Sequence, residues 1–169
     1  MIEIKNIKGE VFYSCDCSTI KEAVERAVAE GVSLAMVDLQ GANLEGANLE
    51  GADLQGARLK GANLFMANLK GANLFLANLT GTNFQGACLT CANLRYATLK
   101  GANMFGANLK GANLFMAHLT CANFQDADLE DANMFGANLK GANLFLAYLK
   151  GANLEGADLT DANIIFIKE

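Results

Sequence analysis

Few folds accommodate the period that rules this chain from Val32 to Phe166. A large apolar residue returns at every fifth position, at Leu34, Leu39, Leu44, Leu49, Leu54 and onward to Leu159 and Ile164. Ala stands two residues before nearly every one of them, with Asn or Asp usually between. The unit reads Ala-(Asn/Asp)-Leu-X-X, as in Ala62-Asn63-Leu64-Phe65-Met66. About 27 such units follow one another without a break in register. A period of five matches neither the helix, at about 3.6 residues, nor the strand, at about 2.0. A unit this short cannot bury its own apolar positions, so successive turns of chain must stack on one another.

With this unit running through roughly four fifths of its length, the chain resembles the pentapeptide repeat family. The resemblance implies an all-β solenoid, a right-handed quadrilateral parallel β-helix of about seven coils. Four pentapeptides would make each square coil, with the central residue and the Ala two before it pointing inward. The residues fit that plan, since a narrow interior takes one small and one medium side chain in alternation. Gly at the last position of the unit, as at Gly41, Gly46 and Gly51, is expected to relieve crowding at the corners. The chain has no Pro, as inter-coil hydrogen bonding by the backbone requires.

Residues 1–31 do not repeat and read as a ββα capping segment ahead of the 32–169 solenoid. Met1 to Ile7 alternates apolar and polar, Val11-Phe12-Tyr13 offers a second strand, and Lys8-Gly9-Glu10 offers the turn. Thr19 and Glu22 have the spacing of a capping box. Ile20, Ala23, Val24, Ala27 and Val28 then share one helical face, and Gly31 is a stop signal. Laid over the first coil, such a segment covers apolar core and unpaired edge groups.

Sorting the solenoid by a period of twenty gives its outward residues four sides. One side carries Phe75, Phe115 and Phe135 with Arg95 among them; the opposite side carries Phe65, Phe105 and Phe145, alternating with Gln85 and Gln125. Lys60, Lys100 and Lys140 mark one side between, and Lys70, Lys110 and Lys150 the other. Met66, Leu76, Met116 and Leu146 widen the apolar stripes. The six Phe residues have two readings, as rings stacked on their own neighbours or as a surface for a protein partner or a second copy. The Lys rows read as solvated faces. Asn43, Asn63, Asn83, Asn103, Asn123, Asn143 and Asn163 align on one side, where stacked amides can bond along the axis.

Charge bears on function. Some members of the resembled family protect type II topoisomerases such as DNA gyrase by imitating B-form DNA, which requires dense negative charge. This chain has a net charge of −5, and from Gly56 to Gln125 it has no Asp or Glu. Arg58, Lys60, Lys70, Arg95, Lys100 and Lys110 fill that span, while acids gather at Asp38, Glu45, Glu50 and Asp53 and again at Asp126, Asp128, Glu130 and Asp131. A rod with a basic waist copies DNA poorly. It is also too weakly basic to read as a binder of nucleic acid. The leading expectation is a non-enzymatic interaction or scaffold module, with gyrase inhibition or protection as the alternative.

No nucleophile–base pair, phosphate loop, metal set or cofactor motif can be assembled. His118 is the only histidine, expected outward beside Thr98. Cys15 with Cys17, and Cys88 with Cys91, fall short of the four ligands of a structural zinc. The odd cysteine count, with no signal-like start and no bilayer-length apolar run, leads to an expectation of free thiols and a cytoplasmic protein. At the far end Ile164-Ile165-Phe166-Ile167 follows the last good unit. By the resemblance, whose DNA-mimicking members pair through their C-terminal ends, these four are candidate contacts of an end-to-end homodimer.

Overall fold

The structure, a computed structural model, describes residues 1–165. Phe166 and Ile167, two of the four candidate dimer contacts, lie outside the described residues.

The chain begins with strand β1 (Ile2–Lys5) and strand β2 (Val11–Cys15), paired antiparallel with Ile2 opposite Cys15 and Ile4 opposite Tyr13. The register shifts at Lys5, which faces Val11. Helix α1 (Ile20–Ala29) follows. Thr19 is its N-cap, and its hydroxyl accepts a 3.1 Å bond from the Glu22 N–H. Glu22 reaches back, but to the N–H of Ser18 at 2.8 Å rather than to that of Thr19, so the expected box closes one residue earlier. At the other end the N–H of Gly31 bonds to the Val28 carbonyl and that of Val32 to the Ala27 carbonyl, a Schellman stop. Gly31 takes the left-handed φ of 71° that this motif requires. Ala23, Val24 and Ala27 are buried in one core continuous with that of the repeats.

From Asp38 on, the residue before each central apolar residue pairs in parallel with the residue twenty positions later, as Asn43 with Asn63, then Asn83, and so to Asn163. The bonding repeats with the sequence. The Leu64 N–H donates to Asn83 O at 2.7 Å, the Asn63 N–H to Ala42 O at 2.9 Å, and the Ala67 N–H closes a turn on Leu64 O at 3.0 Å. Each side of a coil therefore supplies a single bridging residue before the chain turns. The repeats hold no long strands, only short rungs one above another.

Four apolar columns fill the interior. We number the sides by their central residues: the first runs through Leu54, Leu74, Leu94, Leu114 and Met134, the second through Leu59 to Leu139, the third through Leu64, Phe84, Met104, Phe124 and Leu144, and the fourth through Leu69 to Leu129. All of these are buried, as are the Ala residues that alternate with them. Thr82 replaces Ala in the third column. It is fully buried, and its hydroxyl donates to Leu59 O at 2.7 Å, which removes the cost of hiding an unpaired hydroxyl.

Outside the third column the seven Asn side chains form one unbroken ladder. The amide of Asn63 donates to Asn43 at 3.2 Å, Asn83 to Asn63 at 3.0 Å, and each next one likewise up to Asn163 on Asn143 at 3.0 Å. Most of these carboxamide oxygens also accept from the backbone N–H two residues on, as Asn103 does from Phe105 at 3.3 Å. Asn103→Ala removes two ladder bonds and one turn bond without touching the core. We expect it to cost about 1–2 kcal/mol, measured by denaturant unfolding, whereas replacing exposed Asn108 by Ala should cost less.

The corners correct one expectation. Crowding explains few of the glycines: a Cβ at Gly81 would meet nothing within 4 Å, and only at Gly56, Gly136 and Gly151 would it press on a side chain, that of Met36, Met116 and Asp131 respectively. What the corner demands is a left-handed backbone, with φ of 64° at Gly81. Met36, Met66, Leu76, Cys91, Tyr96, Met116, Cys121, Asp126, Asp131, Leu146 and Asp161 adopt it too, at φ of 54–59°. For side chains bearing a Cβ this conformation costs roughly 1–2 kcal/mol each.

Candidate interaction surface

On the first side, the outward position after the central residue holds Phe75, Arg95, Phe115 and Phe135. The coil spacing alone brings rings within reach of one another only where they occupy successive coils. Phe115 and Phe135 do so, stacked with centroids 5.6 Å apart and planes 7° off parallel. Arg95 interrupts the series, and Tyr96 repairs it from the neighbouring corner. Its ring stands edge-on to Phe75 at 5.9 Å and to Phe115 at 5.6 Å. The Arg95 guanidinium carbon lies 5.5 Å from the Phe115 centroid and 5.8 Å from that of Tyr96, a cation held on aromatic faces. Four rings and one guanidinium thus form a continuous ridge.

Tyr96 is not legible from the repeat because its position in the unit is often Gly, and a period of twenty places it between Leu76 and Met116 rather than among the rings. Its corner also carries Leu76 and Met116. The three are 56%, 39% and 41% exposed for Leu76, Tyr96 and Met116, all on the left-handed backbone that glycine adopts without strain. Burial does not repay the strain of Leu76 and Met116 in full. Met116 leans along the axis, its sulfur 2.6 Å from where a Cβ on Gly136 would stand.

The third side is different. Phe65, Phe105 and Phe145 alternate with Gln85 and Gln125, two coils apart, and no ring pair forms among them in the described residues. The six candidate Phe residues therefore do not make two equivalent stripes, since those on the first side join into a ridge and those on the third stand singly.

Charge is also distributed by side. Between Leu54 and Asn153 the outward positions of the first and second sides hold no Asp or Glu. They hold Arg58, Lys60, Arg95, Lys100 and Lys140, with exposed His118 bridged to Thr98 one coil before and to Asn138 one coil after. The acids of the later coils fall elsewhere, Asp126 on the third side and Asp128, Glu130 and Asp131 on the fourth. Arg58 pairs with Asp38 at 3.8 Å, Lys70 with Glu50 at 3.5 Å, and Lys110 with Glu130. Lys60, Arg95, Lys100 and Lys140 have no ion-pair partner among the described residues.

The Lys110–Glu130 pair has a pH signature. The Lys110 bond holds the Glu130 carboxyl below its ordinary 4.5, and Glu130 raises Lys110 above its ordinary 10.5. A lowered acid gives stability that is present above its unfolded value and lost as pH falls through the folded one. The raised amine gives stability present below its unfolded value and lost as pH climbs through the folded one. Lys110→Met should therefore melt slightly below wild type at neutral pH, and the gap should close in acid; a gap that persists at pH 3 would contradict this.

Cys15 and Cys17 are joined in a disulfide at the end of β2, their Cα atoms 5.3 Å apart. The expectation that all five thiols are free is corrected, because a single intervening residue bends the chain enough to bring them together. Cys88, Cys91 and Cys121 are free. No group of three or more His, Cys, Asp or Glu residues placed to hold a metal occurs among the described residues. A hollow of about 450 Å³ lined by Met1, Ile2, Glu3, Lys5 and Ile20 lies away from every candidate side chain. No helix among the described residues is long and apolar enough to cross a membrane. Ile164 is half-buried on the last described coil and Ile165 is exposed beside it.

The family description Pentapeptide repeats matches the chain in eight copies, over overlapping segments that run from residue 33 to residue 167. The chain is a pentapeptide repeat protein. Its right-handed β-helical architecture is that of the family. Among solved pentapeptide repeat structures it is similar to HetL, involved in heterocyst differentiation regulation in the cyanobacterium Nostoc sp. PCC 7120. The two share 41% identity at a TM-score of 0.73, over 75% of this chain and 59% of HetL. This pentapeptide repeat protein thus spans less than two thirds of HetL's length. It is 31% identical to Rfr23 of the cyanobacterium Cyanothece 51142, at a TM-score of 0.38 over 75% of this chain and 90% of that one. It is 24% identical to a trypsin-treated variant of QnrB1, a plasmid-mediated fluoroquinolone resistance protein, at a TM-score of 0.41 over 75% and 65%. No functionally curated protein matches it.

Proposed function

We propose that this pentapeptide repeat protein is a non-enzymatic protein-interaction module of the cytoplasm. In this reading a rod of about seven coils is closed at its N-terminal end by the ββα unit of residues 1–31, and residues 32–169 form the solenoid. The observation that carries it is the ridge of Phe75, Tyr96, Phe115 and Phe135, a row of large rings on the outside of the solenoid, with Tyr96 exposed and the three Phe half-buried. Aromatic residues of this kind anchor protein interfaces. Membership of the pentapeptide repeat family, whose members act in protein interactions, supports a binding role.

The covering of the first coil supports the capping role. The Asp38 N–H bonds to Lys5 O at 2.9 Å, the Ile7 N–H to Met36 O at 2.8 Å, and the Asn48 N–H to the Glu25 carboxylate at 2.8 Å. These bonds satisfy groups that an open edge leaves bare.

A photo-crosslinking residue placed at Phe115 tests the reading in cells that express the protein. Discrete protein adducts should form there and disappear when Tyr96→Ser and Phe135→Ser are added. Equal adducts from a crosslinker at Gln85, on the third side, would overturn the assignment. Purified gyrase tests the alternative, because inhibition of supercoiling by low-micromolar protein would favour DNA mimicry instead. Sedimentation of Ile164→Glu, Ile165→Glu protein against wild type tests the end-to-end homodimer.

A further inference from the structure

The corner that carries Leu76, Tyr96 and Met116 lies where the first side meets the second, and the second side carries the unpaired lysines. The aromatic ridge and the acid-free basic face are therefore two walls of one edge. Along that edge an apolar strip runs parallel to Lys60, Lys100 and Lys140, with Arg95 set inside the strip itself.

Each wall is only partly satisfied within the chain: the rings pack on one another and Arg95 rests on them, but no carboxylate among the described residues pairs with Lys60, Arg95, Lys100 or Lys140. The exposed corner side chains sit on a left-handed backbone that costs free energy. The four cations without partners lie on the two sides that have no carboxylate between Leu54 and Asn153, although Asp126, Asp128, Glu130 and Asp131 occupy the other two sides in the same coils. A complementary occupant must bring carboxylates and large apolar side chains together.

We propose that this edge is the docking site for an acidic protein segment that also carries aromatic or large aliphatic side chains. The apolar side chains of the segment lie on Phe75, Leu76, Tyr96, Phe115 and Met116, and its carboxylates face Lys60, Arg95 and Lys100. From the coil of Phe75 to that of Phe135 is three coil spacings, roughly 14 Å, the reach of about five extended residues. Charge steers the segment to the edge and the rings hold it, so capture weakens with added salt. This inference rests on the reading of the chain as an interaction module and adds the side of the rod and the chemistry of the partner.

Phage-displayed random dodecapeptides, panned against the purified full chain, test it. Three double variants serve as controls: Arg95→Glu with Lys100→Glu, Tyr96→Ser with Phe115→Ser, and Phe65→Ser with Phe105→Ser on the third side. All positions are at least partly exposed, and circular dichroism melts establish that each variant folds. The enriched peptides should combine Asp or Glu with Phe, Leu or Met. A synthetic peptide of the enriched sequence should bind the first two variants at least about tenfold more weakly, and the third as it binds wild type. Enrichment of basic or uncharged peptides, or a loss confined to the third-side variant, overturns the inference and leaves the interaction module standing. No enrichment over all three variants overturns both. Equal competition by a thymidine oligonucleotide makes the edge a nucleic-acid site, and a dimer dissolved by Tyr96→Ser with Phe115→Ser makes its occupant a second copy; either result also overturns the inference.

Discussion

Leu94→Asp is expected to unfold the central coils. Leu94 is fully buried, stacked in its column between Leu74 and Leu114. Its backbone N–H donates to Asn113 O at 2.7 Å, so the main chain at this site is held in place. A carboxylate cannot turn outward without inverting the backbone of the whole unit. Nor does any buried basic group lie in the column to pair with it, the core being apolar apart from Thr82. The new side chain either protonates or pulls water into the stack, and both cost several kcal/mol. We expect a loss of at least about 4–5 kcal/mol, the range reserved for unpaired buried charge. The loss should spread beyond the site, because coils touch only their neighbours and a broken coil uncouples those on either side. Guanidinium unfolding followed by circular dichroism would show either a collapsed midpoint or two separate transitions. A single transition near the wild-type midpoint would contradict this account of the core.

The second large effect is expected from Asn103→Pro. The backbone N–H of Asn103 donates to Thr82 O at 2.9 Å, and proline removes that donor and leaves the carbonyl of Thr82 short of a partner. The same substitution deletes the Asn103 carboxamide from the middle of the ladder, where it donates to Asn83 at 3.2 Å and accepts from Asn123 at 3.1 Å. It also restricts Ala102, a buried corner residue, to extended conformations. Backbone loss contributes about 3 kcal/mol or more, beyond the cost of Asn103→Ala. Comparing the two variants separates the ladder from the backbone. If they unfold at the same denaturant concentration, the inter-coil N–H bond at this position contributes nothing and the rungs are held by side chains alone.

Much of the arrangement was legible in the sequence because a strict period leaves little freedom. Once each unit takes one side of a square coil, columns such as Phe84, Met104 and Phe124 must stack, and Asn43 to Asn163 must align within hydrogen-bonding reach. The helix signals at Thr19, Glu22 and Gly31 were equally local, each depending only on residues within five positions. The aromatic ridge was half legible. Phe115 and Phe135 follow from the period, but Tyr96 does not, because its ring crosses from a corner into a row that its own position in the unit does not share.

The sequence by itself determined the solenoid, its columns, its amide ladder and the uneven charge along its length. Periodic burial and local capping encode these, and both are written in residue order. Only the tertiary structure decided that the corner glycines serve a left-handed backbone throughout and spare room at only a few positions, since φ is not a property of spacing. It alone joined Cys15 to Cys17 and drew Phe75, Tyr96 and Phe115 into one ridge with Arg95 on it. Those contacts depend on the direction each side chain takes from its backbone, and direction is fixed only when the coils are stacked.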